Sequence, residues 1–323
     1  MTKLGMNNKY TVQKGIAILL FIFLAFLFCV FTFRNGNMPS RFDTVENFVE
    51  FDGQRYRRKN DVKTLLLIGL GESGEDAPVE LYTNDQQAEF LTLLSFDDKE
   101  KTCSVLRIDV ETVSNVNALD IAGNKTDAKL LPIKYAHTYG KGGAVSCRNV
   151  ADSVSSLLLD NRINHYLSFS MSTLIRLNDF AEGVEVIALD DFTSEGRAYT
   201  KGEMVTLNGE AVVDYICQND GSDSYQHRQE QYMAALFEKI AAKAEKDSKF
   251  ALKVLQEISG GITSDRTVNQ LLTFANKMSE YELLVLENIE GENGLEAESN
   301  LFYPDKSSLE KISVELFYEP VNE

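Results

Sequence analysis

The sequence predicts an α/β domain that stands behind one N-terminal transmembrane helix. Strand-like and helix-like apolar patterns are interspersed along the chain from residue 62 onward, with no internal repeat. Nothing in residues 61–318 has the composition of a linker, which favours one domain. The remaining observation is an uncharged apolar run near the N-terminus, residues 15–33.

The apolar run is long enough to cross a membrane. As a helix, its 19 residues cover roughly 28 Å, which is close to the hydrocarbon thickness of a bilayer. A secretory signal would end in a small-residue cleavage site, and residues 31–35 offer none. A buried core helix is the alternative, but the run is apolar on every face, so an uncleaved anchor is the better interpretation.

Basic residues predict the orientation of this anchor. Three lysines precede the run, whereas Arg34 and Arg41 follow it, so the N-terminus is expected in the cytoplasm. The protein is therefore predicted to be a single-pass protein of the cell membrane. Its predicted parts are a cytoplasmic tail (1–14), a transmembrane helix (15–33), a stalk with a small hairpin (34–61) and an extracytoplasmic domain (62–323).

Charge and residue spacing exclude several classes of function. The net charge is −17, and residues 35–323 carry 28 basic against 49 acidic side chains, so nucleic acid is not an expected partner. No C-x-x-C spacing occurs among the cysteines, and the three histidines are too far apart for a helical metal pair. Three cysteines follow the anchor, an odd number, and we expect no disulfide framework.

The elements of the domain follow from periodicity and turn chemistry. Asp52-Gly53 between alternating arms predicts a hairpin, and the charged turn at residues 97–101 joins two apolar strands. Strands are predicted at residues 63–70, 88–96, 104–113 and 183–189, and helices near residues 150–158, 174–180, 225–244, 250–258 and 267–278.

A glycine-rich turn after the first strand invites a dinucleotide interpretation. Gly69, Gly71 and Gly74 fit the G-x-G-x-x-G spacing. The pattern needs a helix N-terminus facing pyrophosphate, but acidic residues stand there, and strands rather than a crossover helix follow. We therefore interpret this turn as a loop with several glycines.

Read in order, several segments resemble the LytR-CpsA-Psr (LCP) family, formerly called cell-envelope-related transcriptional attenuators. The resemblance runs from about Val62 to Tyr318. It is carried by the strand TLLLIGL, by the two strands around DDKEK, by LPIKYAHTYGKGGA, by the helix that leads into GVEVIAL, by Leu207 to Ala211 (LNGEA) and by the pair Arg228-Gln229.

The resemblance implies a single LCP-like domain with a central mixed sheet flanked by helices. It also implies an extracytoplasmic phosphotransferase that moves a glycopolymer from a polyprenyl-pyrophosphate carrier to peptidoglycan. In such proteins the lipid lies in an apolar tunnel, arginines bind the pyrophosphate and carboxylates hold a magnesium ion, which suits phosphoryl-transfer chemistry. The partners implied are a polyprenyl-linked glycopolymer or lipid, and peptidoglycan.

Most of the family's arginines are replaced. The family's Arg-x-Asp falls at Gln87 to Glu89 and its Pro-Arg-Asp at Asp109 to Glu111, so the acids survive as glutamates while the arginines are lost. Three further arginine positions are Cys217, Asn219 and Tyr225. These are five positions, and losing about four cationic contacts would cost on the order of 6–12 kcal/mol of binding free energy before any compensation.

The remaining candidate site residues form two groups. Arg228, Gln229 and Arg107 are the pyrophosphate-binding candidates, and Glu89, Glu111 and Asp109 are the metal candidates, expected to hold magnesium weakly. Strand alternation would place Arg107 on the same face as Asp109 and Glu111. An ion pair with one of these acids is the alternative role for Arg107.

Two functions from different classes remain open. The first is a membrane-anchored LCP-family cell-envelope protein whose site is degenerate, weak or inactive and binds lipid, polymer or a partner enzyme. The second is an active glycopolymer transferase with a relocated phosphate site. A sensor ectodomain unrelated to the family is a third interpretation, and any function inferred from a fold is an analogy until its site is seen.

Overall fold

The computed structural model describes residues 48–72, 83–218, 224–246, 259–267, 281–296 and 299–321, together with residues 250 and 270. No helix within these ranges is long and apolar enough to cross a membrane. The predicted anchor at residues 15–33 lies outside them, as do most of the two helices predicted at 250–258 and 267–278.

The chain forms two compact units. We call residues 48–168, 263–266 and 284–321 the sheet unit, and residues 169–262 and 267–283 the helix unit. The elements in chain order are β1 (Phe48–Phe51), β2 (Gln54–Arg58), β3 (Val62–Glu72), β4 (Gln86–Asp97), β5 (Thr102–Ile108), β6 (Val113–Leu119), β7 (Lys125–Pro132), a 3₁₀ helix (Ile133–His137), α1 (Gly143–Leu157), β8 (His165–Ser170), α2 (Met171–Phe180), β9 (Val184–Ile187), β10 (Phe192–Ser194), β11 (Arg197–Tyr199), β12 (Met204–Leu207), α3 (Ala211–Cys217), α4 (Ser224–Lys246), a 3₁₀ turn (Ser259–Gly261), β13 (Ile262–Ser264), β14 (Glu282–Val285), β15 (Gly291–Glu296), β16 (Ser299–Pro304), α5 (Lys306–Phe317) and β17 (Tyr318–Pro320).

A six-stranded mixed sheet in the order β13-β8-β3-β4-β5-β14 forms the base of the sheet unit. The strands β3, β4 and β5 are neighbours in sequence and pair antiparallel. Their apolar runs are buried, as continuous runs covered on both faces should be. The predicted α/β class with a central mixed sheet and helices is confirmed.

Local turn chemistry explains why these strands turn where they do. The Asp97 side chain accepts the backbone N–H groups of Lys99 and Glu100, each at 3.0 Å, and so closes the charged turn between β4 and β5. The predicted hairpin at Asp52-Gly53 is confirmed as β1 and β2, and both turn residues have positive φ. β17 extends this hairpin into a three-stranded sheet.

One predicted strand ends earlier than expected. Residues 104–113 were expected to continue as one strand, but β5 ends at Ile108 and β6 begins at Val113. The Asp109 carboxylate accepts the Glu111 N–H at 2.9 Å, and the Asp109 carbonyl accepts the Thr112 N–H at 3.0 Å. This local turn replaces the ladder bonds and redirects the chain.

The helix unit packs its helices around buried aromatic side chains. Tyr232 of α4 is fully buried, and its hydroxyl donates to the Asn178 side chain of α2 at 3.2 Å. The Asn178 amide in turn donates to the Leu207 carbonyl at the end of β12 at 3.0 Å. This chain of bonds ties α4, α2 and the two-stranded sheet of β9 and β12 together.

A pair of leucines tests the location of the core. Leu93 in β4 is fully buried, whereas Leu130 in β7 is 72% exposed. We expect Leu93→Ala to lower the free energy of unfolding by about 2–5 kcal/mol, because it leaves a cavity, and Leu130→Ala to change it by less than about 0.5 kcal/mol. Urea denaturation followed by circular dichroism measures both values. Equal losses in the two variants would contradict this assignment of the core.

Candidate functional site

The three candidate metal ligands meet at one end of the central sheet. Glu89 lies on β4, and Asp109 and Glu111 lie in the turn that ends β5. Glu89 packs across Gly71 of β3, where an added Cβ atom would come within 2.7 Å of the Glu89 Cγ atom. A side chain at position 71 would therefore displace Glu89.

Each carboxylate already receives hydrogen bonds from this chain. The Gln87 amide donates to Glu89 Oε1 at 2.7 Å, and the Lys134 Nζ atom donates to Glu111 Oε1 at 2.8 Å. Asp109 accepts the Glu111 N–H, as described above. Glu111 and Lys134 are both mostly buried, with side chains 17% and 11% exposed, so their ion pair is sheltered from solvent screening.

Lys134 is positioned by the 3₁₀ helix that follows β7. Its backbone N–H donates to the Val110 carbonyl at 3.0 Å, and the Ile133 N–H donates to the Thr112 carbonyl at 2.9 Å. These two bonds attach the 3₁₀ helix to the turn that carries the acids. Lys134 was noted in the sequence only as part of the family resemblance, and its contact with Glu111 carries no local sequence signal.

Burial controls the protonation of this cluster. Desolvation raises the pKa of Glu89 above its ordinary value, with Glu111 adding to the rise, while the Gln87 hydrogen bond and the Lys134 charge lower it. Desolvation also raises the pKa of Asp109, against the Glu111 N–H and Lys134. Two of the three acids are thus biased towards the neutral form, which is a poor ligand for a divalent cation.

Magnesium would have to compete with contacts that these carboxylates already make. Within the ranges that the structure describes, no group of three His, Cys, Asp or Glu side chains is placed to hold a metal ion. Magnesium requires near-octahedral oxygen ligands, whereas Glu89 and Glu111 direct oxygen atoms at an amide and an ammonium group. One ammonium group, one amide and one backbone N–H of the chain itself occupy these positions.

His137, at the end of the 3₁₀ helix, is a buried side chain that contacts β4. Its Nδ1 atom lies 3.2 Å from the Gln86 carbonyl of β4, which is consistent with an N–H group at Nδ1. Burial lowers the pKa of His137 to about 4. The ring therefore adds no positive charge near the carboxylates at neutral pH.

The expected common face of Arg107, Asp109 and Glu111 is not a strand face. β5 ends one residue after Arg107, and both acids lie in the following turn. Arg107 itself stands opposite Thr92 of β4, and burial lowers the pKa of its guanidinium. The alternation that was expected to align the three side chains is absent because the Asp109 turn interrupts the strand.

Arg228 and Gln229 close the end of α3 in the helix unit. The Arg228 Nε atom donates to the Tyr215 carbonyl at 2.8 Å, and its Nη2 atom donates to the Gln218 carbonyl. The Gln229 amide donates to the Ile216 carbonyl at 3.1 Å. These are carbonyls at the end of a helix, which have no intrahelical partner.

Asp190 supplies the counter-charge for Arg228. The Arg228 Nη1 atom lies 2.5 Å from Asp190 Oδ2 and 3.2 Å from the Ser224 hydroxyl. The Ser224 hydrogen bond, followed by the Arg228 hydrogen bond and charge, lowers the pKa of Asp190. Arg228 is 1% exposed, so its guanidinium is directed at protein groups. Asp190 is not among the site residues predicted from the sequence, in which the Asp-Asp pair after β9 was the available signal.

Comparison with known proteins points to one family. A family model described as the LytR_cpsA_psr family matches residues 33–317. The chain is 26% identical over 208 residues to the polyisoprenyl-teichoic acid–peptidoglycan teichoic acid transferase TagU of Enterococcus faecalis, covering 63% of this chain and 61% of that protein. The TagU of Halalkalibacterium halodurans is 28% identical over 155 residues, covering 48% of this chain and 44% of that protein. The chain thus spans about half to three-fifths of the length of these relatives.

Solved structures share the fold. The crystal structure of B. subtilis TagV matches with a TM-score of 0.54 at 20% identity, covering 80% of this chain and 96% of that one. A structure of TagT bound to LI-WTA matches with a TM-score of 0.52 at 17% identity, covering 80% of this chain and 90% of that one. At these identities the likeness concerns architecture.

The structural role of Arg228 predicts a stability defect. We expect Arg228→Ala to lower the free energy of unfolding by about 3 kcal/mol, because it removes the ion pair with Asp190 and the donor to the Tyr215 and Gln218 carbonyls. Arg176→Ala, which removes an exposed arginine of the same unit, should cost less than about 1 kcal/mol. Thermal and urea unfolding measure both variants. A fully stable Arg228→Ala protein would show that the guanidinium is not a structural group.

The raised pKa of Glu89 predicts a pH-dependent effect. Because a buried acid with a raised pKa in the folded state destabilises the protein once it ionises, Glu89→Gln should raise the free energy of unfolding at pH 7.5. The gain should shrink as the pH falls through the folded pKa, where Glu89 is already neutral. Urea unfolding between pH 4 and pH 8 measures the difference between variant and wild type. A gain that grows towards low pH would contradict the assigned direction.

Proposed function

The chain belongs to the LytR-CpsA-Psr family, and we propose that it is a cell-envelope protein of this family that binds a polyprenyl-linked glycopolymer and has little or no transferase activity. Its relatives are named as transferases of teichoic acid to peptidoglycan. The proposed ligand is therefore of the class that the family binds, a lipid-linked glycopolymer, but its transfer to peptidoglycan is slow or absent.

This proposal rests on the ion pair that Lys134 makes with Glu111 in the carboxylate cluster. Phosphoryl transfer depends on positive charges aimed at the phosphate oxygens. In the sheet unit, Lys134 is aimed at Glu111 and the Gln87 amide at Glu89. In the helix unit, Arg228 is aimed at Asp190 and helix carbonyls. A pyrophosphate would therefore have to compete with existing ion pairs.

Magnesium is proposed to bind weakly for the same reason. Glu89 and Asp109 have raised pKa values through burial, and Glu111 is paired with an ammonium group. A metal would have to displace Lys134 or a proton before it gained a carboxylate oxygen.

Arg107 favours the second candidate, an active transferase with a relocated phosphate site. It places a half-buried guanidinium on β5 two residues before Asp109. Partial burial strengthens a charge-assisted hydrogen bond, so this arginine is the strongest remaining candidate for a phosphate contact in the sheet unit.

The location proposed for this activity is the outer face of the cell membrane. The apolar run at residues 15–33 and the lysines before it support a single-pass anchor with a cytoplasmic N-terminus. Such an anchor keeps the domain close to lipid-linked substrates, and peptidoglycan would be within reach on the same side.

One substitution distinguishes a phosphate-binding site that is weakened from one that has been lost. Gln87 stands where the family has an arginine, beside Glu89. Val110, the other replaced position on the sheet, is 5% exposed in the core, so an arginine there would bury a charge. Gln87 is buried as well, but an arginine there would lie beside the Glu89 carboxylate, so Gln87→Arg is the informative change. Gln54→Arg on exposed β2 adds the same charge as a control.

We expect the wild-type chain in detergent micelles to bind a polyprenyl pyrophosphate weakly and to hydrolyse it negligibly in the presence of magnesium. Gln87→Arg should tighten binding about tenfold, the value of one modest charge-assisted contact, while Gln54→Arg should leave it unchanged. Isothermal titration and phosphate release measure the two quantities. Turnover by the wild type of about 1 per second or faster, abolished by Arg107→Met, would establish the active transferase instead.

A further inference from the structure

The strand β7 leaves one of its edges open to solvent. It pairs with β6 in a two-stranded sheet, and it has no other neighbour among the strands that the structure describes. Residues 125–128 are exposed, and Leu130 is 72% exposed. An open edge of this kind is a template for pairing with a further strand.

The hydrogen bonds of the hairpin show which backbone groups are directed at this open edge. Just beyond the paired residues, the Ile133 N–H donates to the Thr112 carbonyl at 2.9 Å. Because backbone groups alternate between the two sides of a strand, the odd-numbered residues of β7 bind β6, and Ala128 and Leu130 direct their N–H and carbonyl groups outwards. In agreement, the Ala128 N–H donates to the carboxylate of its neighbour Asp127 at 2.9 Å.

The charges of β7 are complementary to a second copy of the same strand. Asp127 and Lys129 carry opposite charges two residues apart and therefore lie on one face of the strand. If two copies pair antiparallel about a two-fold axis at Ala128, each Asp127 stands opposite Lys129 of the other copy. Opposite charges that face each other across antiparallel strands are stabilising. The same axis sets Leu130 opposite Thr126 and brings the two Ala128 residues together to exchange backbone hydrogen bonds.

Other positions of the axis are less favourable. An axis at Asp127 would set two carboxylates opposite each other, and an axis at Lys129 would set two ammonium groups opposite each other. An axis at Thr126 would need Lys125, which is already paired with Asp152 at 2.9 Å. Charged residues on an edge usually discourage pairing, because they meet the same charge on the next copy. Only the axis at Ala128 joins Asp127 to Lys129 twice.

We propose that β7 pairs with β7 of a second copy of this chain, forming a dimer through a continuous four-stranded sheet in the order β6-β7-β7-β6. A two-fold interface closes on itself, so association stops at the dimer. A pair of single strands is a small interface, and the dimer is therefore weak and exchanges with monomer. This inference is independent of the proposed function, since it involves neither the carboxylate cluster nor a ligand.

Cysteines introduced on β7 test both the pairing and its register. Ala128→Cys sets two Cα atoms about 5.5 Å apart, which is within the range of a disulfide. Leu130→Cys or Thr126→Cys alone leaves its two copies four residues apart along the strand, about 13 Å. The full chain in detergent micelles is oxidised with copper phenanthroline. Mass spectrometry of the linked peptides separates the introduced disulfides from any that the native cysteines form.

We expect Ala128→Cys to form the 128–128 disulfide about tenfold faster than Leu130→Cys or Thr126→Cys forms its own, because only the first pair lies within disulfide range. An equimolar mixture of Thr126→Cys and Leu130→Cys should form the mixed 126–130 disulfide readily, since these positions are opposite each other in the proposed register.

Reversing the charges tests what sets this register. With Ala128→Cys present, Asp127→Lys or Lys129→Asp should slow the 128–128 disulfide about tenfold, because each places like charges opposite each other at two positions. Asp127→Lys combined with Lys129→Asp makes the charges opposite again and should restore the original rate. Glu203→Lys changes an exposed acid of the helix unit and should leave the rate unchanged.

Three outcomes would overturn the inference. The first is a 128–128 disulfide that forms no faster than the 130–130 disulfide. The second is a mixture of Thr126→Cys and Leu130→Cys that yields no 126–130 disulfide, a result that does not depend on the charge variants folding. The third is a doubly exchanged protein with a native circular dichroism spectrum whose disulfide still forms slowly.

Discussion

The pairing of β4 between β3 and β5 is the constraint from which the rest of the sheet unit follows. β4 is hydrogen-bonded on both sides, and its apolar residues are buried, so a shift of one residue would turn its core face outward. This register sets Gln87 opposite Gly71. It also sets Leu91 opposite Ile108, the last residue of β5, so that the turn carrying Asp109 and Glu111 begins at a defined point of the sheet.

The carboxylate cluster shows how one chain accommodates three partly buried acids. Buried acids without partners are costly, so loss of external cations must be offset by internal donors or by protonation. This chain uses both: Lys134 pairs with Glu111, the Gln87 amide binds Glu89, and burial favours the neutral forms of Glu89 and Asp109. The backbone bonds from Ile133 and Lys134 to Thr112 and Val110 hold the turn and the 3₁₀ helix together around these side chains.

The elements predicted correctly from the sequence are those that local interactions determine. The buried strand β3, the Asp52-Gly53 hairpin and the helix α4 follow from apolar runs, turn chemistry and helical spacing. The prediction failed at Ile108, because a single side-chain bond from Asp109 outweighed a continuing strand pattern. The role of Arg228 was equally hidden. Its partners are carbonyls 10 and 13 residues earlier, and they need a donor only because α3 ends at Cys217.

The two fully buried thiols of the sheet unit can report on local opening of the structure around them. Cys103 sits in β5 and Cys147 in α1, where its Sγ atom contacts the Ser168 hydroxyl at 3.3 Å. A reagent can reach either sulfur only when the strand or the helix around it opens. Their modification rates therefore measure the free energies of two separate opening events, one in the sheet and one in the helix that packs beside β6. If the two rates coincide over a range of denaturant, the strand and the helix open as one cooperative unit, and if they diverge, α1 can detach while the sheet persists.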